Sequence, residues 1–94
     1  MNWLEIIELR SVGTNRELLQ SQLQQLIDDV EMEAPKRFIK AYNHITIDAD
    51  FSIHLLHESD KAENEGSPLG LRLVDALKEF GLVNHGVWIE MFSK

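Results

Sequence analysis

The chain has no cysteine, only two prolines and five glycines, and no long hydrophobic run. The absence of cysteine excludes disulfides, thiol catalysis and thiolate metal sites, and it fits the cytoplasmic location that we expect. No apolar run approaches the roughly 20 residues that a bilayer span requires. The segment Met1–Glu5 also lacks the basic and apolar regions of a secretory signal, so we expect neither a membrane partner nor secretion.

Basic residues are also few, with nine Lys and Arg against 16 Asp and Glu and a formal net charge of −7. Nucleic acids bind clustered Lys and Arg, so we do not expect a nucleic-acid partner.

The chain has 94 residues, of which 44% are hydrophobic. This length is sufficient for one core but too short for two, so we expect a single domain over residues 1–94.

Two patterns at the beginning of the chain predict a strand followed by a helix. Trp3–Arg10 is rich in β-forming residues and is too short for a stable amphipathic helix. Thr14 and Glu17 fit a capping box, and apolar residues then recur at spacings of three and four. Pro35 disfavours a helical conformation at Ala34, so the helix should end there or just before.

Two alternating segments predict the middle strands. The segments Phe38–Ile47 and Phe51–His57 are predicted as strands, because Ile45, Ile47, Phe51 and Ile53 are β-branched or aromatic at every second position. The segment Asp48–Asp50 joins them, and aspartate tolerates turn conformations because its side chain can bond nearby backbone groups. We therefore expect a hairpin with a three-residue loop.

The last third of the chain predicts a second helix and a final strand. Ser67 is a good N-cap, and Pro68 falls at the first helical position, where its missing N–H costs nothing. Gly81 fits the left-handed residue that follows a helix, and alternation over Val87–Phe92 predicts the last strand. This division places His85 in an exposed turn.

The resulting order of elements predicts the fold class. Strand, helix, strand, strand, helix and strand form the ferredoxin-like βαββαβ arrangement, an α+β fold with a four-stranded antiparallel sheet and both helices on one face. The first and third strands are then central and the second and fourth are edges. His54 would therefore lie on a central strand.

The three-residue loop also predicts which side chains share a sheet face, because opposed residues of antiparallel strands lie on the same face. Ile47 would oppose Phe51, and His44 would oppose His54. The face without helices would then collect Tyr42, His44, His54, Leu56, Trp88, Glu90 and Phe92. Large aromatic side chains on an uncovered face are unusual in a monomer, so we predict a homodimer that associates through its sheet faces.

One segment of the chain, together with this order of elements, resembles a known family. The run His57–Ala62, followed by Ser67, Pro68 and a helix, is similar to antibiotic biosynthesis monooxygenase-like domains of the dimeric α/β-barrel superfamily. The resemblance implies a ferredoxin-like fold whose two sheets pair into a barrel, with a pocket between the sheet and the helices of each subunit. The family includes cofactor-free monooxygenases acting on polycyclic phenols, haem-degrading enzymes and domains without known activity.

The candidate site lies on the face without helices, where His54 is the candidate acid or base. The candidate ligand contacts are Tyr42, His44, Trp88 and Glu90. His44 and His54 also fit a hydrogen-bonded contact inside a dimer, which is the commoner role for such a pair, or two metal ligands with Glu90 as a third. The pair of His54 and His57 is excluded as a metal site, because residues three apart on a strand lie on opposite faces.

These observations favour a homodimer that binds a small, partly aromatic molecule, with a cofactor-free monooxygenase-like activity as one form of that function. The alternative is a non-catalytic module, either ligand-sensing or purely structural. We expect neither a metal nor a cofactor. A cavity of a few hundred Å³ beside His54 would favour ligand binding or catalysis, whereas a solidly packed interface would favour the structural alternative.

Overall fold

The chain folds in the order strand, helix, strand, strand, helix, strand, which confirms the predicted order. The structure is a computed structural model, and it describes residues 1–12, 16–33 and 38–92. Its elements are β1 (Asn2–Ser11), α1 (Arg16–Glu33), β2 (Phe38–Asn43), β3 (Asp50–Glu58), α2 (Pro68–Leu77) and β4 (Gly81–Ile89). The predicted capping residue Thr14 and the predicted helix end at Ala34 and Pro35 lie outside the described residues. Neither described helix combines the length and the hydropathy that a membrane-spanning helix requires.

The four strands form one antiparallel sheet in the order β2-β3-β1-β4. The first and third strands are central, as predicted, and the fold is ferredoxin-like α+β. His54 lies on the central strand β3, opposite Ile6 of β1 and Lys40 of β2.

Alternation along the central strands separates a buried inner face from an exposed outer face. Trp3, Ile7 and Leu9 of β1 point inward, whereas Glu8 and Arg10 are exposed on the other side. The core consists of Ile7, Leu9, Leu19, Leu23, Ile39, Phe51, Ile53, Leu55, Leu69, Leu73 and Leu77. Because this set includes leucines of both helices, α1 and α2 cover the same face of the sheet. Each fully buried aliphatic side chain contributes about 1.5–3 kcal/mol relative to an exposed one.

The predicted hairpin between the middle strands is wrong in its loop and in its register. Strand β2 ends at Asn43 rather than Ile47, and Asn43 pairs with Phe51. The imidazole Nδ1 of His44 accepts hydrogen bonds from the backbone N–H groups of Thr46 and Ile47, both at 3.1 Å. These side chain–backbone bonds build a turn that β-propensity does not reveal. His44 therefore lies in the loop and does not oppose His54.

Phe51 pairs with Asn43 rather than with Ile47, a register shift of four residues. Because four is an even number, the residues that remain in β2 and β3 keep their predicted faces. Tyr42 and Ser52 oppose each other on the outer face, and Ala41 and Ile53 do so on the inner face. The predicted faces are therefore correct within β2 and β3, but Ile45 and Ile47, which the same register assigned to the inner face, are exposed in the loop.

The end of helix α2 and the beginning of strand β4 also differ from the prediction. Ser67 caps α2 as expected, since its Oγ accepts a hydrogen bond of 3.0 Å from the N–H of Gly70. Gly81, however, does not end the helix in the left-handed region; it is the first residue of β4 and pairs with Ser11. His85 lies within this strand, so its assignment to an exposed turn is wrong. The poor β-formers near it are held in the strand by pairing with β1 rather than by their own propensity.

Candidate functional site

The outer face of the sheet carries large apolar side chains that no described helix covers. We define the outer face by Leu4, Ile6, Glu8, Arg10, Lys40, Tyr42, Ser52, His54, Leu56, Glu58, Leu82, Asn84, Gly86 and Trp88, with Asp50 at its end. Of its largest members, Leu82 is 72% exposed and Trp88 is 60% exposed. The prediction that Tyr42, His54 and Trp88 share this face is consistent with the strand register.

A depression of about 580 Å³, which we call the His54 depression, opens on this face. It is bordered by His54, Tyr42 and the loop residue His44. The rings of Tyr42 and His54 lie 4.8 Å apart between centroids and are tilted by 55°. Three of the five predicted site residues therefore border one depression, although the two histidines do not face each other.

The other two predicted site residues border a second depression, which we call the Trp88 depression and which also measures about 580 Å³. Trp88 pairs with Leu4 of β1, and the backbone N–H of Glu90 donates to the carbonyl of Asn2 at 3.0 Å. The His54 depression instead borders Glu8. Leu4 and Glu8 lie about 13 Å apart along the strand. The predicted single site is thus divided between two places on the sheet.

One ion pair flanks the His54 depression. The guanidinium of Arg10 binds the carboxylate of Asp50 through two bonds, from Nε at 3.1 Å and from Nη2 at 3.2 Å. The hydrogen bond from Arg10 and its positive charge hold the pKa of Asp50 below its ordinary value of 3.8. The two bonds are bidentate and orient the side chains of Arg10 and Asp50 relative to each other. Both residues border the depression.

The sequence did not reveal a cluster of polar side chains buried on the inner face. The side chain of Glu5 is completely buried, and its Oε1 accepts hydrogen bonds from His57 Nε2 at 2.7 Å and from the backbone N–H of Ser67 at 3.1 Å. Its Oε2 accepts a hydrogen bond from His85 Nε2 at 2.8 Å. We call Glu5, His57, His85 and Ser67 the Glu5 cluster. It joins β1, β3 and β4 to the N-terminus of α2.

Two glycines allow the helix to approach this carboxylate. Gly66 has a positive φ of 103°, which only glycine adopts readily, and a Cβ at this position would collide with the imidazole of His85. A Cβ at Gly70 would collide with the carboxylate of Glu5. The cluster therefore depends on glycine at both positions.

The environment of Glu5 favours its ionised form. Burial alone raises the pKa of this carboxyl, but hydrogen bonds from Ser67, His85 and His57 outweigh it, so the pKa lies below its ordinary value of 4.5. An ionised carboxylate can only accept hydrogen bonds, so each imidazole must donate through Nε2–H. The Nδ1 atom of a neutral imidazole in this tautomer is an acceptor.

Among the described residues, no group of three or more His, Asp or Glu side chains has a geometry that could hold a metal ion. His44, His54 and Glu90, which the sequence suggested as one metal set, do not border a common depression. In the Glu5 cluster, the Nε2 atoms of His57 and His85 point at different oxygens of the Glu5 carboxylate rather than at a common point.

Comparison with protein-family models, curated proteins and solved structures found no match to this chain.

Proposed function

We propose that this chain is a homodimeric protein whose outer faces meet and enclose a small, partly aromatic molecule. The observation that carries the proposal is the His54 depression, which has about 580 Å³ and lies on the face that neither helix covers. Small-molecule sites typically measure about 300–1,000 Å³. Because the depression is open to solvent, a second copy would supply its missing wall, as in the paired sheets of antibiotic biosynthesis monooxygenase-like domains.

The charge of the outer face supports a second copy as the partner. The face carries two cations, Arg10 and Lys40, and three carboxylates, from Glu8, Asp50 and Glu58, so its formal charge is −1. The whole chain has a formal charge of −7. Two copies that meet through this face therefore repel each other much less than the net charge of the chain would suggest, and a two-fold contact places the same apolar patch on both sides.

The groups around the His54 depression suit a ligand with an aromatic part and a few polar groups. Tyr42 is about half exposed and offers a ring face, while His54, Ser52 and Asn84 offer hydrogen-bonding groups. Binding sites of this kind combine apolar walls with a small number of placed polar groups. His44 is positioned at the edge by its bonds to the loop backbone.

A catalytic role for His54 is a second candidate, favoured by its position beside Tyr42 at the same depression. The resemblance to cofactor-free monooxygenases implies dioxygen consumption with an aromatic substrate. A panel of aromatic compounds tested with a dioxygen electrode should then give uptake that His54→Ala abolishes. If no compound supports uptake but some bind, the function is binding without catalysis.

Sedimentation equilibrium of two matched variants tests the dimer. Leu82→Glu adds a charge to the outer face, whereas Leu71→Glu adds the same charge to an exposed position of α2, on the other side of the sheet. Burying an added charge in an apolar interface costs several kcal/mol, even with Arg10 opposite position 82. Leu82→Glu should therefore weaken association by about 100-fold or more while Leu71→Glu leaves it unchanged. A wild-type chain that remains at 10.8 kDa at all concentrations would overturn the proposal.

A fragment screen followed by NMR tests the ligand site. Binding of aromatic fragments should shift the side-chain signals of Tyr42 and His54, and His54→Ala should weaken it. A dimer in which no fragment shifts these signals would instead support the purely structural alternative.

A further inference from the structure

The loop that joins β2 to β3 presents an apolar side chain at the edge of the outer face. We call residues 44–49 the His44 loop, after its first residue. His44 and Ile45 both border the His54 depression. The side chain of Ile45 is 94% exposed, so it is free to contact a molecule that occupies the depression.

A single imidazole nitrogen holds the tip of this loop. Nδ1 of His44 accepts hydrogen bonds from the backbone N–H groups of Thr46 and Ile47, both at 3.1 Å. The hydroxyl of Thr46 lies 3.4 Å from the same atom. A ring nitrogen accepts hydrogen bonds only while it carries no proton, and both ring nitrogens of a protonated histidine are donors. The turn around Ile45 therefore requires the neutral form of His44.

The base of the loop is held by bonds that involve no imidazole. The backbone N–H of His44 donates to the carbonyl of Asp50 at 3.0 Å, and the backbone N–H of Asp50 donates to the carbonyl of Ile47 at 3.1 Å. Loss of the Nδ1 bonds should therefore release the tip around Ile45 while β2 and β3 stay paired.

The proton on His44 is subject to two opposing influences. Histidine ordinarily changes charge between about pH 5 and pH 8. The two backbone N–H groups favour the neutral ring, whereas the nearby carboxylate of Asp50 attracts a positive one. The charged and titratable groups around the loop come from every neighbouring element: Glu8 and Arg10 of β1, Arg16 of α1, Tyr42 of β2, Asp48 of the loop, and Asp50 and His54 of β3. His54 is the other histidine in this set, so an experiment must separate the two.

We propose that His44 is a positioning residue whose neutral imidazole holds Ile45 beside the His54 depression and whose protonation releases it. The protonated ring would direct an N–H group at two other N–H groups, so it turns away and the tip loses both bonds. Ile45 then leaves the wall of the depression. Ligand binding at the depression should therefore weaken as the pH falls.

The effect on ligand binding rests on the proposed function, whereas the release of the loop does not. Every group that holds the tip belongs to one chain and needs no ligand. The two parts are therefore measured separately.

An NMR titration from about pH 8 to about pH 5.5 tests the release of the loop. In ¹⁵N-labelled protein, the backbone amide signals of Thr46 and Ile47 should move to lower proton frequency as their hydrogen bonds are lost. Their midpoint should coincide with that of the His44 ring signals.

Three variants assign this change to His44. In His44→Asn, Oδ1 takes the place of Nδ1 and accepts the same bonds but gains no proton, so the two amide signals should stay in place. In His44→Ala the acceptor is absent, so these signals should resemble the low-pH wild type at every pH. His54→Asn removes the other histidine and should leave the titration of the two amides unchanged.

Phenol serves as the aromatic probe for ligand binding, followed at the side-chain signals of Tyr42 and His54. The ratio of its dissociation constants at low and high pH is compared between the wild type and His44→Asn. His54 is present in both, so its own titration cancels. The ratio should be about fivefold larger in the wild type, as for the loss of part of one aliphatic contact.

The release of the loop is overturned if the two amide signals stay in place while His44 titrates, or if they move in His44→Asn as they do in the wild type. Equal phenol ratios in the two proteins would overturn the effect on binding. Failure of phenol to bind at either pH would also overturn that effect and would count against the proposed function, while the amide titration still decides the role of His44.

Discussion

Glu5→Gln tests whether the buried carboxylate stabilises the fold or only occupies space within it. The substitution keeps the shape of the side chain but removes its charge, and one acceptor oxygen becomes an amide donor. Oε1 can still accept from His57 and Ser67, whereas the new N–H₂ group faces His85 Nε2, which must then change its tautomer. Glu8→Gln, at an exposed neighbouring position of β1, removes the same charge without touching the cluster.

The magnitude follows from the three hydrogen bonds to the Glu5 carboxylate. Bonds to an ionised group contribute about 1.5–3 kcal/mol each and neutral ones about 0.5–1.5, so the substitution loses about 3 kcal/mol over three bonds. The amide is less costly to bury than the carboxylate, and this recovers part of the loss. We expect a net decrease of about 2 kcal/mol in the free energy of unfolding, which corresponds to about 10 °C in Tm.

The same substitution should change the pH dependence of stability. Because the pKa of Glu5 is lower in the folded chain than its ordinary value of 4.5, its contribution is fully present above that value. The contribution is lost as the pH falls through the lower, folded pKa. Urea denaturation across pH 7 to pH 3 should therefore show a smaller acid-induced loss in Glu5→Gln than in the wild type or Glu8→Gln. Equal stability of Glu5→Gln and wild type at pH 7 would refute the reasoning, because the cost of burying the carboxylate would then cancel its bonds.

Three further predictions concern the elements around the two faces. Gly70→Ala should lower the free energy of unfolding by about 1–3 kcal/mol, although alanine favours a helix, because its Cβ would collide with Glu5; urea denaturation measures this, and a stabilised variant would contradict it. Ser67→Ala should lower it by about 1 kcal/mol through loss of the N-cap bond to Gly70, measured in the same way, and no change would contradict the capping role. Arg10→Gln should raise the pKa of Asp50 towards its ordinary value of 3.8, because it removes the hydrogen bond and the charge that lower it; a ¹³C carboxyl titration measures this, and an unchanged pKa would contradict it.

Local patterns predicted the parts of this fold that depend on neighbouring residues. Alternation in β3 placed Phe51 inside and His54 outside, and the sequence of Ser67 and Pro68 marked the start of α2. These features depend on spacing within one element, and spacing can be read directly from a chain.

The features that were missed depend on contacts between distant segments. Strand β2 ends early because the side chain of His44 bonds the loop backbone, and β4 begins at Gly81 because β1 pairs with it. The misplaced start of β4 also hid the Glu5 cluster, since His85 was assigned to a turn. Once β4 is known, the inward position of Glu5 between Trp3 and Ile7 is the signal that could have revealed a buried carboxylate.

The strand register changes the interpretation of the two histidines that the sequence brought together. His44 stabilises a turn, whereas His54 remains on the open sheet beside Tyr42. The candidate ligand contacts Trp88 and Glu90 belong to a different depression.

A crystal structure grown with an aromatic fragment that binds tests the central proposal most directly. The account predicts two copies in contact through their outer faces, with the fragment beside Tyr42 and His54 and walled by the second copy. Outer faces open to solvent in the crystal, with the fragment bound away from His54, would contradict it.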